Sequence, residues 1–198
     1  MQIAILSFDG FNELDSFVAL SLLNRVPGWH AMICAPDATV TSMNGVMISA
    51  GMRLDTLPDM DAVIVGSGVR TRQIAADEAV MARLRLDPLR QLIGAQCSGA
   101  LLLATLGLLE TVPVCTDATS RPWVEAAGVR VIEAPFHAAA NIATAGGCMA
   151  AHYLAAWMIA RGAGEAQART VIDYVAPVGE KEATVERIMS VVSPFLRA

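Results

Sequence analysis

Length, composition and charge exclude several classes of protein. The chain has 198 residues, of which 55% are hydrophobic and 17% charged, and this is enough apolar material for the buried core of one domain. The net charge of −5 argues against a nucleic-acid partner, because proteins that bind DNA or RNA are commonly basic.

Strands and helices alternate along the chain when apolar runs and helical periodicities are taken in order. The predicted strands are residues 2–7, 30–35, 61–65, 92–96, 112–115, 129–132 and 141–145, with a hairpin over 39–49 around Asn44-Gly45. The predicted helices begin at Asn12, cover Ile74 to Leu84 in part, and then occupy 98–108, 123–127, 148–161, 165–174 and 182–196.

This alternation predicts an α/β fold in which helices cover both faces of a mostly parallel sheet. No repeat or linker interrupts it, so we expect one domain over residues 1–198. Ligands of open α/β sheets bind beyond the carboxyl ends of the strands. Attention therefore falls on three loops, at residues 8–15, 66–70 and 96–99.

Membrane, secretory and metal-binding features are not expected. The longest apolar segments, 99–109 and 150–160, are too short to span a bilayer, and the first residues lack the basic region of a signal peptide. The four cysteines form no CxxC pair and no zinc-type spacing. We therefore expect a cytoplasmic protein with reduced thiols, no membrane partner and no metal site.

Cys97 is the strongest candidate for a reactive residue. A predicted strand stops at Gln96, and a helix starts within two residues, at small residues that allow it to pack closely. This arrangement has the logic of a nucleophile elbow with cysteine in place of serine. A thiol at a helix N-terminus meets free N–H groups, which favour thiolate and can hold an oxyanion. The alternative is a buried cysteine of the core.

Two further loops carry candidate groups. Asp15 or Glu13 would bring a carboxyl group to the end of the first strand, where it could exchange protons with a thiol or a substrate. Capping of the helix by Asn12 and Asp15 is the alternative. Gly66-Ser67-Gly68 ends a central strand, and its small residues let backbone N–H groups approach a ligand.

Histidines and the other cysteines are weaker candidates. His137 could serve as a base beside a cysteine, whereas His30 and His152 fit packing roles better, and sequence does not show which side chains meet in space. Cys34, Cys115 and Cys148 lie in or beside apolar segments, so we interpret them as structural.

The chain resembles the ThiJ/PfpI superfamily, within the class I glutamine-amidotransferase-like fold, which is flavodoxin-like. It is most similar to the branch of isonitrile hydratases and ligand domains of AraC-type regulators, in which Thr or Ser follows the cysteine, as Ser98 does here. The stretches that carry the resemblance are 3–11, 13–15, 62–68, 96–109 and 141–147.

The resemblance implies roles for particular residues. Cys97 would be the nucleophile and Asp15 the acid that contacts it. Backbone N–H groups of Gly66 or Ser67, and of Ser98, would form the oxyanion site. Asp117 would line the substrate pocket, at a position where the branch often has a different polar run. The superfamily also implies a homodimer that needs no cofactor.

Several functions follow from these residues and from the resemblance. The leading hypothesis is an enzyme that uses Cys97 as a covalent nucleophile, most concretely an isonitrile hydratase that forms an N-substituted formamide. Glyoxalase-like or amidase-like chemistry on another small molecule is related to it. The alternatives from other classes are a ligand-binding module and a redox sensor that acts through oxidation of Cys97.

Overall fold

Nine strands form in the computed structural model, which describes residues 1–196. Seven of them make one sheet in the order β5-β2-β1-β6-β7-β9-β8, in which only the β8–β9 pair is antiparallel, and β3 and β4 form a separate hairpin. The strands are β1 (Gln2–Leu6), β2 (His30–Ala35), β3 (Thr39–Thr41), β4 (Met47–Ser49), β5 (Met52–Arg53), β6 (Ala62–Val65), β7 (Leu92–Gln96), β8 (Phe136–Ala139) and β9 (Ile142–Ala145).

Helices cover both faces of this sheet, as the alternation of elements predicts. Eight α-helices lie within the described residues, and three short 3₁₀ turns accompany them. The helices are α1 (Glu13–Leu23), α2 (Thr71–Ala75), α3 (Glu78–Met81), α4 (Gly99–Thr105), α5 (Arg121–Ala126), α6 (Ala151–Ala163), α7 (Glu165–Val175) and α8 (Lys181–Val192).

The core is divided by the sheet into two clusters. Ile3 and Ile5 of β1 pack into the cluster that contains Trp157 of α6, whereas Ala4 and Leu6 pack into the cluster on the opposite face. Successive side chains of a strand point to opposite faces. A strand buried on both faces therefore appears in the sequence as a continuous apolar run, as β1 does.

Three central strands place the functional loops side by side. β1, β6 and β7 are neighbours and run parallel, with Leu6 opposite Val65 and Val65 opposite Ala95. Their carboxyl ends consequently meet at one edge of the sheet. This brings together the start of α1, the loop after β6 and the turn between β7 and α4.

Two predicted strands and one predicted helix differ in the structure. Residues 112–115 and 129–132 are not strands, since they meet only at a single bridge between Val114 and Val131. The helix expected around 74–84 is divided into α2 and α3 because Asp77 caps a new helix with its side chain. The mostly parallel α/β class is confirmed, and one domain over 1–198 stays a prediction. No helix in the described part of the chain is long and apolar enough to cross a membrane.

Candidate active site

Cys97 occupies the sharp turn between β7 and α4. Its φ is 45°, in the left-handed region that residues other than glycine rarely adopt. Its backbone N–H donates to the Ala145 carbonyl at 2.8 Å, so the turn is fixed to the adjacent strand β9. The strand-to-helix position predicted for Cys97 is therefore confirmed. Backbone strain of this kind is concentrated at functional sites.

Gly99 allows α4 to start directly against β6. A Cβ atom at Gly99 would lie 2.4 Å from the carbonyl oxygen of Val65, which is far inside van der Waals contact. Ser98 is hydrogen-bonded to the loop after β6. Its hydroxyl accepts from the Gly68 N–H at 3.1 Å and lies 2.8 Å from the Thr71 hydroxyl. The small residues after Cys97 thus serve close packing, as the sequence indicates.

Asp15 is a buried carboxyl group at the start of α1. Its side chain accepts hydrogen bonds from the hydroxyls of Ser67, at 2.5 Å, and Ser16, at 3.3 Å. Burial raises the pKa of Asp15 to about 6, although the two hydroxyls act to lower it. Asn12 caps α1 by accepting from the Leu14 N–H. Asp15 is thus free of the capping role that was its alternative.

The Cys97 thiol lies beside this carboxyl group and is almost inaccessible, with 3% of the residue exposed. A carboxylate oxygen of Asp15, the Cys97 sulfur and the Cys148 sulfur all lie within 4.8 Å of one another. Burial raises the pKa of Cys97 to about 12, and the negative charge of Asp15 adds to this effect. Burial therefore acts against the thiolate that the helix start is expected to favour.

Gln96 is a buried polar neighbour that the sequence did not single out. Its Nε2 donates to the Gly147 carbonyl at 2.8 Å and to the Cys97 sulfur at 3.4 Å. Its Oε1 is buried without a hydrogen-bond partner among the described residues. An unsatisfied buried carbonyl beside a nucleophile is able to accept a hydrogen bond from a substrate N–H or a water. A polar residue at the end of a buried strand is the signal that could have identified it.

The predicted oxyanion groups are not equally available. The Gly66 N–H donates to the Leu6 carbonyl at 2.9 Å, so it is committed to the sheet. The Ser67 N–H faces Asp15 and helps to lower the pKa of that carboxyl group. The Ser98 N–H has no acceptor within residues 1–196, so it is available as a donor.

Asp117 caps the turn before α5 and faces a cavity. Its carboxylate accepts from the N–H groups of Thr119 and Ser120 at 2.9 and 3.0 Å. It also lines a cavity of about 450 Å³ together with Thr116, whose hydroxyl donates to the Cys97 carbonyl at 2.8 Å. The structure thus places Asp117 near the elbow, and its negative charge contributes to the raised pKa of Cys97.

Glu13 and the histidines lie apart from the thiol. Glu13 accepts from the Asn44 side chain at 2.7 Å, which ties it to the β3–β4 hairpin. A hydrogen bond from its own backbone N–H and the one from Asn44 lower the pKa of Glu13. His137 packs edge to face against Phe195, and His152 lies on α6 in a second cavity, of about 700 Å³. The choice between the two acids therefore favours Asp15, and no described histidine belongs to the cysteine cluster.

Asp15, Cys97 and Cys148 provide fewer ligands than a structural metal site needs. A structural zinc site takes four protein ligands, whereas one carboxylate and two sulfurs meet here within the described residues. The absence of a metal remains a sequence-based prediction.

Cys97 lies on a strained strand-to-helix elbow, and the buried carboxyl group of Asp15 lies beside it. These two features place the chain in the class of α/β proteins whose functional centre is a cysteine. The chain belongs to the DJ-1/PfpI family, whose sequence profile matches residues 1–161. The resemblance to ThiJ/PfpI proteins is thereby confirmed. This family includes enzymes as well as proteins that are not enzymes.

Several solved structures share the fold of this chain. A ThiJ/PfpI family protein from Pseudomonas syringae is 22% identical, with a TM-score of 0.79 over 98% of this chain and 88% of the other. A mutant of a DJ-1 superfamily protein from Salmonella typhimurium is 25% identical, with a TM-score of 0.76 over 88% of this chain and 97% of the other. An AraC family transcriptional regulator from Pseudomonas putida is 18% identical, with a TM-score of 0.72 over 88% of this chain and 99% of the other. No curated protein matches the chain.

Proposed function

We propose that this chain is a cysteine-dependent enzyme that acts on a small neutral electrophile, most concretely an isonitrile hydratase. The observation that carries the proposal is the pairing of Cys97, on its strained elbow, with the buried carboxyl group of Asp15 within 4.8 Å. Nucleophile and proton carrier are the two groups that addition of water to an electrophilic carbon requires.

The two pKa values define how the thiol is activated. At neutral pH a thiol with a pKa of about 12 is protonated, and a carboxyl group with a pKa of about 6 is mostly ionised. Asp15 therefore acts as a general base that removes the proton from sulfur as the new bond forms, rather than as a partner of a standing thiolate. This order of events also avoids two adjacent negative charges in a buried site.

The steps of hydration then balance as follows. The Cys97 sulfur adds to the isonitrile carbon, while its proton passes to Asp15 and from there to the same carbon, giving a thioimidate. Water adds across the carbon–nitrogen double bond, with its hydroxyl on carbon and its proton on nitrogen. The carbon–sulfur bond breaks as the hydroxyl proton returns to sulfur through Asp15. The product is an N-substituted formamide, and the free thiol is restored.

Local charge supports a neutral substrate. Besides burial, the negative charges of Asp15 and Asp117 raise the pKa of Cys97, and no cationic side chain within residues 1–196 acts to lower it. A substrate that carries a carboxylate would be repelled by the same charges. Isonitriles carry no net charge, and neither do 2-oxoaldehydes, which keeps a glyoxalase-like reaction as the second candidate.

Turnover of matched substrates tests the proposal. The purified chain is incubated with a neutral aryl isonitrile and with methylglyoxal, and formamide and hydroxyacid are measured by chromatography. Loss of the nucleophile in Cys97→Ala is expected to reduce formamide formation by about 10³-fold or more. The matched control is Cys34→Ala, since Cys34 is also buried and burial also raises its pKa to about 12. Equal activity of the two variants would contradict the proposal.

A binding module is the candidate from another class. The AraC family regulator among the similar structures favours it, because that chain has the same fold. Saturable binding of a small molecule that is unchanged by Cys97→Ala, without turnover, would identify a binding module. Amide hydrolysis remains an alternative reaction, and release of ammonia or an amine would reveal it.

We also propose that the protein is a cytoplasmic homodimer that needs no cofactor and does not bind nucleic acid. Family resemblance supports the dimer and the lack of a cofactor, and the pI of about 5.1 supports the absence of a nucleic-acid partner. Light scattering at micromolar concentration measures the mass directly. A monomer mass would refute the dimer, and a salt-resistant shift of DNA in a gel would refute the absence of nucleic-acid binding.

A further inference from the structure

A second cysteine sulfur lies beside Cys97 although the two residues are 51 positions apart in the chain. Cys97 follows β7 and Cys148 follows β9, and these strands are parallel neighbours in which Gln96 pairs with Ala145. The two sulfurs lie within 4.8 Å of each other and of Asp15. None of the four cysteines forms a disulfide in the structure.

Cys148 differs from the other three cysteines in its exposure. Cys34, Cys97 and Cys115 are buried, whereas Cys148 is partly exposed. The side-chain amide of Asn12 donates a hydrogen bond to the Cys148 sulfur at 3.0 Å. A hydrogen-bond donor stabilises negative charge on sulfur. An oxidant from solvent therefore reaches Cys148 more readily than the buried Cys97.

The residue directly before Cys148 faces open space. Two glycines precede Cys148, and Gly147 has a φ of 91° with open space where a Cβ would lie. A disulfide needs the sulfurs to approach to about 2.05 Å. The two sulfurs lie within 4.8 Å of each other, so closure requires them to move closer together.

We propose that Cys148 is an oxidative modification site that closes a reversible disulfide with Cys97. In the first step a hydroperoxide transfers one oxygen to the Cys148 thiol, is itself reduced to an alcohol or water, and leaves a sulfenic acid on Cys148. In the second step the Cys97 sulfur attacks the Cys148 sulfur, the Cys97 proton passes to Asp15, and the hydroxyl group leaves with a proton as water. Two equivalents of an external thiol reduce this disulfide to the two cysteine thiols, and the external thiols are oxidised to a disulfide of their own.

This inference goes beyond the proposed hydratase reaction and is independent of it. The disulfide would remove the Cys97 thiol from any reaction that uses it, and reduction would restore the thiol. Because each oxidation stops at a disulfide, both sulfurs would avoid the irreversible sulfinic and sulfonic acids. Asp15 has the same role in both reactions, as the acceptor of the Cys97 proton.

Peptide mapping after mild oxidation tests the proposal without any need for turnover. The reduced full chain is treated with one equivalent of hydrogen peroxide, blocked with iodoacetamide and digested with trypsin without reduction. Cleavage after Arg90, Arg130 and Arg161 places Cys97 and Cys115 in one peptide and Cys148 in the next. The experiment is therefore carried out in parallel on Cys115→Ser, in which a cross-link to the first peptide identifies Cys97 alone.

The expected result is a cross-link between residues 97 and 148 in both proteins, which dithiothreitol removes. In Cys148→Ser the cross-link should be absent, and Cys97 should remain a thiol after one equivalent because peroxide reaches it poorly. Cys34→Ser, which changes a buried cysteine of β2, should form the cross-link to the same extent as the unmodified chain. Oxidation of Cys97 to a sulfinic acid without a cross-link, or equal oxidation of Cys97 in Cys148→Ser, would overturn the proposal.

Discussion

Replacement of Asp15 by asparagine should stabilise the protein at the same time as it inactivates it. The carboxyl group is almost completely buried, and its pKa is raised from 3.8 to about 6. A raised pKa in the native state means that folding holds the proton more tightly than the unfolded chain does. Between those two pH values the native state binds more protons, so the contribution of Asp15 to stability falls as pH rises.

The expected magnitude follows from the shift in pKa. A shift of this size corresponds to about 3 kcal/mol of unfolding free energy that is lost at every pH above about 6. An asparagine side chain at this position would be nearly isosteric and uncharged, and it could still accept from the Ser67 hydroxyl that now donates at 2.5 Å. We expect Asp15→Asn to gain about 1–3 kcal/mol at pH 8, or about 3–10 °C in Tm, and close to nothing at pH 4.

Thermal unfolding at pH 4, 6 and 8, with turnover measured on the same samples, provides the assay. Turnover of Asp15→Asn is expected to fall by about 10²–10⁴-fold, which is the range for the loss of a general acid–base group. The matched control is Glu13→Gln, because Glu13 is bonded to Asn44 rather than placed at the thiol. It should keep most of the turnover and show no gain at pH 8. Destabilisation of Asp15→Asn at pH 8, or an equal gain at pH 4 and pH 8, would refute the reasoning.

Three further results are expected from the same structure. The value of kcat/KM should rise through about pH 6 as Asp15 ionises to its basic form, and a profile that is flat from pH 5 to 8 would argue against it. Gly99→Ala should lower the free energy of unfolding by about 2–3 kcal/mol, because the new methyl group meets a rigid backbone carbonyl. The control is Gly94→Ala, which should cost less because the methyl group meets a flexible leucine side chain. A larger loss of stability in Gly94→Ala, measured by chemical unfolding, would contradict this prediction. Limited alkylation should modify Cys148 first, since it alone among the four cysteines is not buried, and mass spectrometry that finds Cys97 modified first would restore the expectation of an accessible thiolate.

The parallel strands could be predicted from sequence because burial on both faces leaves an unbroken apolar run. β2 and β7 have the predicted bounds, 30–35 and 92–96. Segments 112–115 and 129–132 are equally apolar, yet they have no neighbouring strand beyond one bridge. β8 was not predicted because the sequence before β9 carries no turn signal. Its hairpin with β9 turns at Ala140, which has a φ of 50° without the glycine that usually marks such a turn.

The features of the site that follow from the order of strands and helices could be predicted from sequence. The features that depend on how deeply a side chain is buried could not. The elbow at Cys97 and the proximity of Asp15 follow from where neighbouring parallel strands end. The raised pKa of the thiol depends on how far the loops cover it, which no local pattern records. The contact with Cys148 likewise requires the pairing of β7 with β9, so a residue first interpreted as structural belongs to the cluster.

The left-handed backbone at Cys97 also attaches an energetic cost to a cysteine at this turn. A glycine adopts a φ of 45° without steric strain, whereas cysteine adopts it here against a penalty. Replacement by glycine would relieve that strain, so the turn itself does not require a thiol. Any requirement for cysteine at position 97 comes from the chemistry of its side chain and not from the fold.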